Sequence, residues 1–277
     1  MRFSVLGPLT VTGASVAGMQ RLLLAVLLSR AGTPVPDAFL LRALWGEEEA
    51  SAGTLRWHVH RLRRLLGEPA LLRRTDAGYL VDAGVDELDA AKFAVLYRAA
   101  LDARAATATA RAAGLFTAAL GLWRGDAYGD LATVPALRAV AARLEEQRMR
   151  ALECLNQIDL ARGRPEPVVA RLRELAPSLP PREQLWRQLM LAECAAGRPV
   201  DALAAFAMAC ERFREELGAD PSPSLRDLHR GILCAAPMAT TAVPPAHPDL
   251  SALLGTYPRE RSRRLRWTGG ERPVTNG

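Results

Sequence analysis

Between residues 53 and 66 the chain carries Gly53, Arg56, Trp57, His60, Arg61, Arg63 and Arg64, interleaved with Leu55, Val59, Leu62 and Leu66. At helical periodicity the four leucine and valine positions fall on one stripe and the polar set on the opposite face. That face holds Arg56, His60, Arg61, Arg63 and Arg64 and no carboxylate. Charged faces that meet only water usually mix signs, so an unmixed one points to an anionic partner. A helix fits the major groove of duplex DNA, where arginine either clamps phosphates or reads guanine O6 and N7; the chemistry indicated is nucleic-acid recognition. The spacing does not say which arginine does which. Trp57, on the polar face, calls for contact with a thymine methyl, a sugar or another part of the chain. Gly53 serves either close backbone approach to phosphate or the geometry at the start of the helix.

The segment LLRRTDAGYLV at 71–81 repeats the pattern, with Arg73, Arg74 and Thr75 on the first arm of a predicted hairpin and a turn at Asp76-Ala77-Gly78. A basic hairpin beside a basic helix is the geometry of a wing laid along the backbone or minor groove. Tyr79 is expected as a core anchor rather than a base-stacking residue. In WGEEEAS at 45–51, the consecutive Glu47, Glu48 and Glu49 cannot sit against phosphate, so they face water or a protein partner.

Other chemistries lack materials. His58, His60, His229 and His247 join no recognisable motif with a nucleophile or carboxylate, so no catalytic residues and no enzyme are expected. Cys154, Cys194, Cys210 and Cys234 show no CxxC and no histidine at ligand spacing; no metal site or cofactor is expected, and the thiols read as small buried hydrophobes. No GxxxxGK[ST] occurs, so an ATPase module is not expected. The strongly apolar run Leu22 to Leu28 is too short to span a bilayer and the N-terminus lacks a leader pattern, so a cytoplasmic, nucleoid-associated protein without membrane contact is expected.

The elements that must position the basic helix are legible around it. Residues 2–12 give two β-prone runs split by Gly7-Pro8. Leu22, Leu23, Val26 and Leu27 mark a helix to about Arg30, stopped by Gly32. Asp37 is expected to cap a helix to about Trp45, with Leu40, Leu41 and Leu44 inward. The third helix opens near Ser51 and ends at Gly67. Strands, three helices and a hairpin make a winged helix-turn-helix over residues 1–84. From Asp89 to Leu233 the pattern is helical, with breaks at Gly125 to Gly129, Gly163, Pro177 to Pro181, Gly197 and Gly218 to Pro223. A shift of 34 residues superposes Ala161 on Ala195, Gly163 on Gly197, Arg164 on Arg198, Pro165 on Pro199 and Ala170 on Ala204. That is the tetratricopeptide period. Its apolar marks are Leu152, Leu155, Val168, Leu172, Leu175 and Pro180, then Trp186, Leu189, Ala202, Phe206 and Ala209, with Met190 large where a small residue is usual. Residues 89–236 are therefore expected as an all-α, tetratricopeptide-like domain, and 237–277 as a disordered basic tail whose RERSRRLRW at 259–267 either touches nucleic acid or is merely solvated. The fold class is α+β followed by all-α.

In 277 residues with 49% hydrophobic content, two modest cores fit this division. The formal charge of +6 concentrates at the ends: residues 1–84 hold 10 basic and 7 acidic groups, and 237–277 hold 6 and 3. Only Lys92 among 36 cations is lysine. Such a bias reflects composition, so arginine counts matter only where the side chains share a face.

In order along the chain, LRALWGE (41–47), TLRWHVHRLRRLLG (54–67), LLRRTDAGYLV (71–81), LWRGDAYGD (122–130), RLEEQRMRALE (143–153) and LGADPSPSLRDLHRGIL (217–233) closely resemble the Streptomyces antibiotic regulatory protein family. Its members join an OmpR-type winged helix to a bacterial transcriptional activation domain. The resemblance implies that residues 53–66 are a recognition helix, that Trp57, His60, Arg61 and Arg63 match DNA-facing positions, and that Arg73 and Thr75 match wing positions. It also implies that the loop around Glu47 to Ala50 faces RNA polymerase or its sigma factor. Side-by-side protomers on promoter direct repeats, usually of secondary-metabolite gene clusters, are implied as well. The sequence departs from the pattern at Gly53, where a polar or basic residue is usual, and at Asp76-Ala77, where a proline pair is common. Alternatives to activation are a repressor with the same DNA grip and a helical-repeat adaptor whose winged helix binds protein. A small-molecule effector of the repeat domain is left open.

Overall fold

A computed structural model describes residues 2–46, 50–175 and 181–235. Glu47, Glu48 and Glu49, Pro180 and the whole of 237–277 lie outside the described residues.

The first strands are two residues each, β1 (Phe3–Ser4) pairing antiparallel with β2 (Thr10–Val11). Three helices come next: α1 (Gly18–Leu28), α2 (Asp37–Trp45) and α3 (Ala52–Leu66). Helix α1 begins four residues earlier than the apolar period implies and ends at Leu28. Its last six residues, Leu23 to Leu28, are all buried, because α2, α3 and the hairpin surround it. Ser51 caps α3 by accepting a hydrogen bond from the Thr54 N–H at 3.1 Å, and Gly67 ends it in a left-handed conformation. Asp37 does not cap α2. Pro36 holds the cap position without a side-chain bond, and Asp37 lies in the first turn. A fixed proline φ makes the turn without needing a cap side chain.

The hairpin β3 (Leu72–Thr75) and β4 (Gly78–Val81) turns at Asp76-Ala77, with Gly78 already paired to Thr75. Tyr79 exchanges backbone hydrogen bonds with Val35, 2.7 and 2.9 Å long. Gly78 is required there: any Cβ would lie 2.0 Å from the Val35 carbonyl oxygen, and φ is +134°.

Helices α4 (Asp89–Ala105), α5 (Thr109–Leu120), α6 (Pro135–Ala161), α7 (Pro165–Leu175), α8 (Glu183–Ala195), α9 (Pro199–Leu217) and α10 (Pro223–Ala235) follow among the described residues. The apolar repeat marks Leu152, Leu155, Val168, Leu172, Trp186, Leu189, Ala202 and Ala209 are buried, and so is Met190. The 34-residue period extends to polar contacts that the apolar pattern did not disclose. Asp159 is buried and pairs with Arg164; Glu193, 34 residues on, is buried and pairs with Arg198. Each turn also closes with the same backbone bond, Arg164 N–H to Asp159 O and Arg198 N–H to Glu193 O. The α4–α5 turn does likewise, Ala108 N–H to Ala103 O, with Thr107 at φ +59° where Gly163 and Gly197 stand in the others.

The cysteines differ from expectation. Cys154, Cys194 and Cys210 are half-buried and Cys234 is exposed, because they sit on the flanks of helices rather than on core stripes. Burial pushes the Cys194 thiol up to about 11, leaving it protonated.

One apolar core joins the three-helix region to α4 and α6. Phe3, Leu6, Leu24, Leu27 and Leu40 share it with Phe93, Tyr128, Leu137 and Leu144. The residues between the first two strands make the seam. The Asp89 carboxylate accepts the N–H groups of Val5 and Leu6, while Leu6 O and Val5 O accept from Arg124 N–H and Tyr128 N–H.

Candidate nucleic-acid interface

Helix α3 places Leu55, Val59, Leu62 and Leu66 in the core, as its period requires. The opposite face is thereby fixed outward. Arg56, Trp57, His60, Arg61 and Arg64 are exposed and Arg63 is half-buried. Among the described residues, none of Arg56, Arg61, Arg63 and Arg64 has a carboxylate partner, whereas Arg2, Arg21, Arg73, Arg74 and most arginines of the repeat region do.

The face is held from three sides. Arg2 donates to Leu66 O at the end of α3 and pairs with Glu68. Gln20 on α1 bonds the His58 Nδ1 at 3.0 Å. Arg63 Nε donates to Leu72 O at 2.9 Å, tying α3 to the first wing strand. Arg63 thus spends part of its guanidinium on structure.

Trp57 remains 55% exposed. Among the described residues its aromatic and cation–π contacts lie within its own helix, edge-on to His58 at 4.8 Å and beneath the Arg61 guanidinium at 5.5 Å. Among the described residues the indole is therefore not used against the repeat region, which leaves it available to a partner. His58, absent from the sequence-based site, sits between Trp45 and Trp57. Burial, then the nearby Arg61 charge, lowers its pKa. Only its place beside the Leu55–Val59 stripe could have flagged it.

On the wing, Thr75 Oγ1 donates to Gly78 O inside the hairpin, and Arg73 pairs with Asp82 at 2.8 Å, both ends exposed. Arg74 pairs with Asp37 of α2 and lies 4.6 Å over the buried Tyr79 ring. The Asp37 hydrogen bond raises the Arg74 pKa further. Arg56, Arg63 and Arg74 converge with Asp37, Val59 and Tyr79 around a cavity of about 280 Å³ between α3 and the wing. The structure thus brings together helix and wing residues that lie apart in the sequence; Trp57 and Arg61 stand on the other flank of α3. A surface of this kind offers unneutralised guanidiniums, one exposed indole and a basic hairpin on a rigid support. No group of three or more histidine, cysteine or acidic side chains among the described residues is placed to hold a metal ion. No helix among them is long and apolar enough to cross a membrane.

Two family profiles match the chain: "Transcriptional regulatory protein, C terminal" over residues 14–81 and "Bacterial transcriptional activator domain" over residues 88–233. Similar proteins include the regulatory protein AfsR of Streptomyces coelicolor, 39% identical over 246 residues, 86% of this chain and 24% of AfsR. The chain thus spans about a quarter of that relative. The regulatory protein DnrI of Streptomyces peucetius is 34% identical over 86% of this chain and 93% of its own length. Among solved structures, Mycobacterium tuberculosis EmbR in complex with a low affinity phosphopeptide superposes with a TM-score of 0.72 at 33% identity, over 84% of this chain and 65% of EmbR.

Proposed function

The chain belongs to the Streptomyces antibiotic regulatory protein family of transcriptional regulators, and from that premise we propose that it is a sequence-specific DNA-binding activator. In this reading α3 enters the major groove, the β3–β4 wing tracks the backbone, and the repeat region makes protein contacts. Two protomers bind side by side on promoter direct repeats. The acidic loop at Glu47, Glu48 and Glu49 meets RNA polymerase or its sigma factor, and the genes served are a secondary-metabolite cluster. The protein acts in the cytoplasm, at the nucleoid, as a regulator and not an enzyme.

The observation that carries the reading is the exposed α3 face, where Arg56, Arg61 and Arg64 have no carboxylate partner among the described residues. Holding like charges together without counter-charge costs stability, so a polyanion is the partner this face suits.

The test is binding of the full chain to fragments from its own gene neighbourhood across a salt series, wild type against His60→Ala/Arg61→Ala. One fragment should bind far more tightly than bulk DNA with a steep salt slope, and the double variant should lose about 2–4 kcal/mol of that preference. Arg63 is left intact because it also holds the wing. Weak, uniform binding untouched by the substitutions would leave the adaptor reading instead.

A further inference from the structure

The cavity between α3 and the wing holds three guanidiniums in different states. Arg56 has no polar partner among the described residues, Arg63 has given its Nε to Leu72 O, and Arg74 is neutralised by Asp37. Among the described residues Asp37 is the one acid lining the cavity, and it does not serve as the helix cap. A carboxylate presents its oxygens to a guanidinium much as a phosphodiester presents its two free oxygens.

We propose that Asp37 is a built-in stand-in for a DNA phosphodiester: it occupies the anion position of this cavity and keeps Arg74 off the backbone until a well-seated duplex displaces it. The proposal rests on the DNA-binding reading of α3 and the wing. Both partners are partly in water, Asp37 at 28% and Arg74 at 50% side-chain exposure, so the pair is weak and open to exchange for another oxyanion. The stacking of Arg74 on Tyr79 keeps the guanidinium at the cavity throughout the exchange. Loosely bound, non-specific DNA does not break the Asp37–Arg74 pair and so gains no contact from Arg74. A cognate site, with base contacts from α3, breaks it. Asp37 therefore raises discrimination by penalising the wrong partner.

The experiment measures affinity for a promoter duplex and for a random duplex across a salt series, using the full chain as wild type, Asp37→Asn, Arg74→Ala and the double variant, with a melting curve for each. Asp37→Asn should tighten random-duplex binding roughly 3–10-fold at about 0.1 M salt and steepen the log–log salt slope by about one. The promoter-to-random ratio should narrow, and in the Arg74→Ala background the same substitution should do nothing. Asp37→Ser, which suits a helix N-terminus, repeats the measurement if the asparagine variant melts early. Unchanged or weaker binding without Asp37 overturns the proposal, as does a tightening that persists undiminished in Arg74→Ala. Wild-type protein that binds no duplex removes the DNA reading and this proposal together, whereas wild-type binding with an inert Asp37 removes this proposal alone.

Discussion

His58 shows how a residue at the edge of a buried stripe acquires a second role. Its neutral ring accepts from Gln20 and lies edge-on to Trp45 and Trp57, so protonation removes an acceptor and places a charge near Arg61. Its folded pKa lies below the ordinary 6.5, so the unfolded chain binds the proton more readily. The stability His58 contributes is therefore fully present above 6.5 and lost as pH falls below it. Melting curves at roughly pH 5 and pH 7.5 should show a gap that His58→Phe narrows, because the phenyl ring keeps the edge contacts without titrating. An equal gap in the variant would mean that other groups set the acid limit. The same paired rings orient Trp57, so the exposed indole is a positioned side chain rather than a loose one.

At the scale of elements, three helix–turn–helix units share one turn but differ in how easily they form it. Gly163 and Gly197 reach φ +67° and +75° without steric cost, whereas Thr107 is held at φ +59° with a β-branched side chain. Thr107→Gly should therefore raise stability, by about 0.5–1 kcal/mol, read as a higher melting temperature. A decrease would show that Thr107 contributes contacts exceeding its backbone strain. The acid–arginine clamps behave differently. Glu193 is buried between Arg173 and Arg198, and Asp159 between Arg164 and Arg171. These ion pairs knit neighbouring helices where the apolar stripe ends, and two of the three units keep a buried acid just before the turn, whereas the α4–α5 unit has Ala103 there.

For the whole molecule, the decisive feature is the apolar core that runs from the three-helix region into α4 and α6. A division into an independent winged helix at 1–84 and a helical domain at 89–236 remains a proposal, and the shared core bears on it. Phe93 on α4 is fully buried in that cluster and touches the rings of Tyr97 and Trp123. Ion pairing of Arg21 on α1 with Asp130 adds a polar tie across the same seam. Thermal unfolding should then be a single transition. Phe93→Ala should shift it down by about 3–5 kcal/mol without splitting it. Two separate transitions, with only the later one moved, would show that the regions fold independently. A shared core also means that a partner bound by the repeat region bears on how α3 is presented.

The sequence by itself determined the α3 stripe, its Ser51 and Gly67 ends, the basic wing and the 34-residue period, because each depends on local periodicity or on one residue's backbone preference. It could not show that Asp37 leaves the cap position to meet Arg74, 37 residues away, nor that Arg63 is partly structural. It missed the third repeat turn, where threonine replaces glycine and the spacing departs from 34 residues. It showed residues 2–12 only as two β-prone runs making a small hairpin or meander, although Val5 and Leu6 bond Asp89, Arg124 and Tyr128 more than 80 positions on. Those partners are chosen by packing, since a buried backbone N–H or carbonyl must find a mate and only the assembled tertiary structure decides which one is within reach.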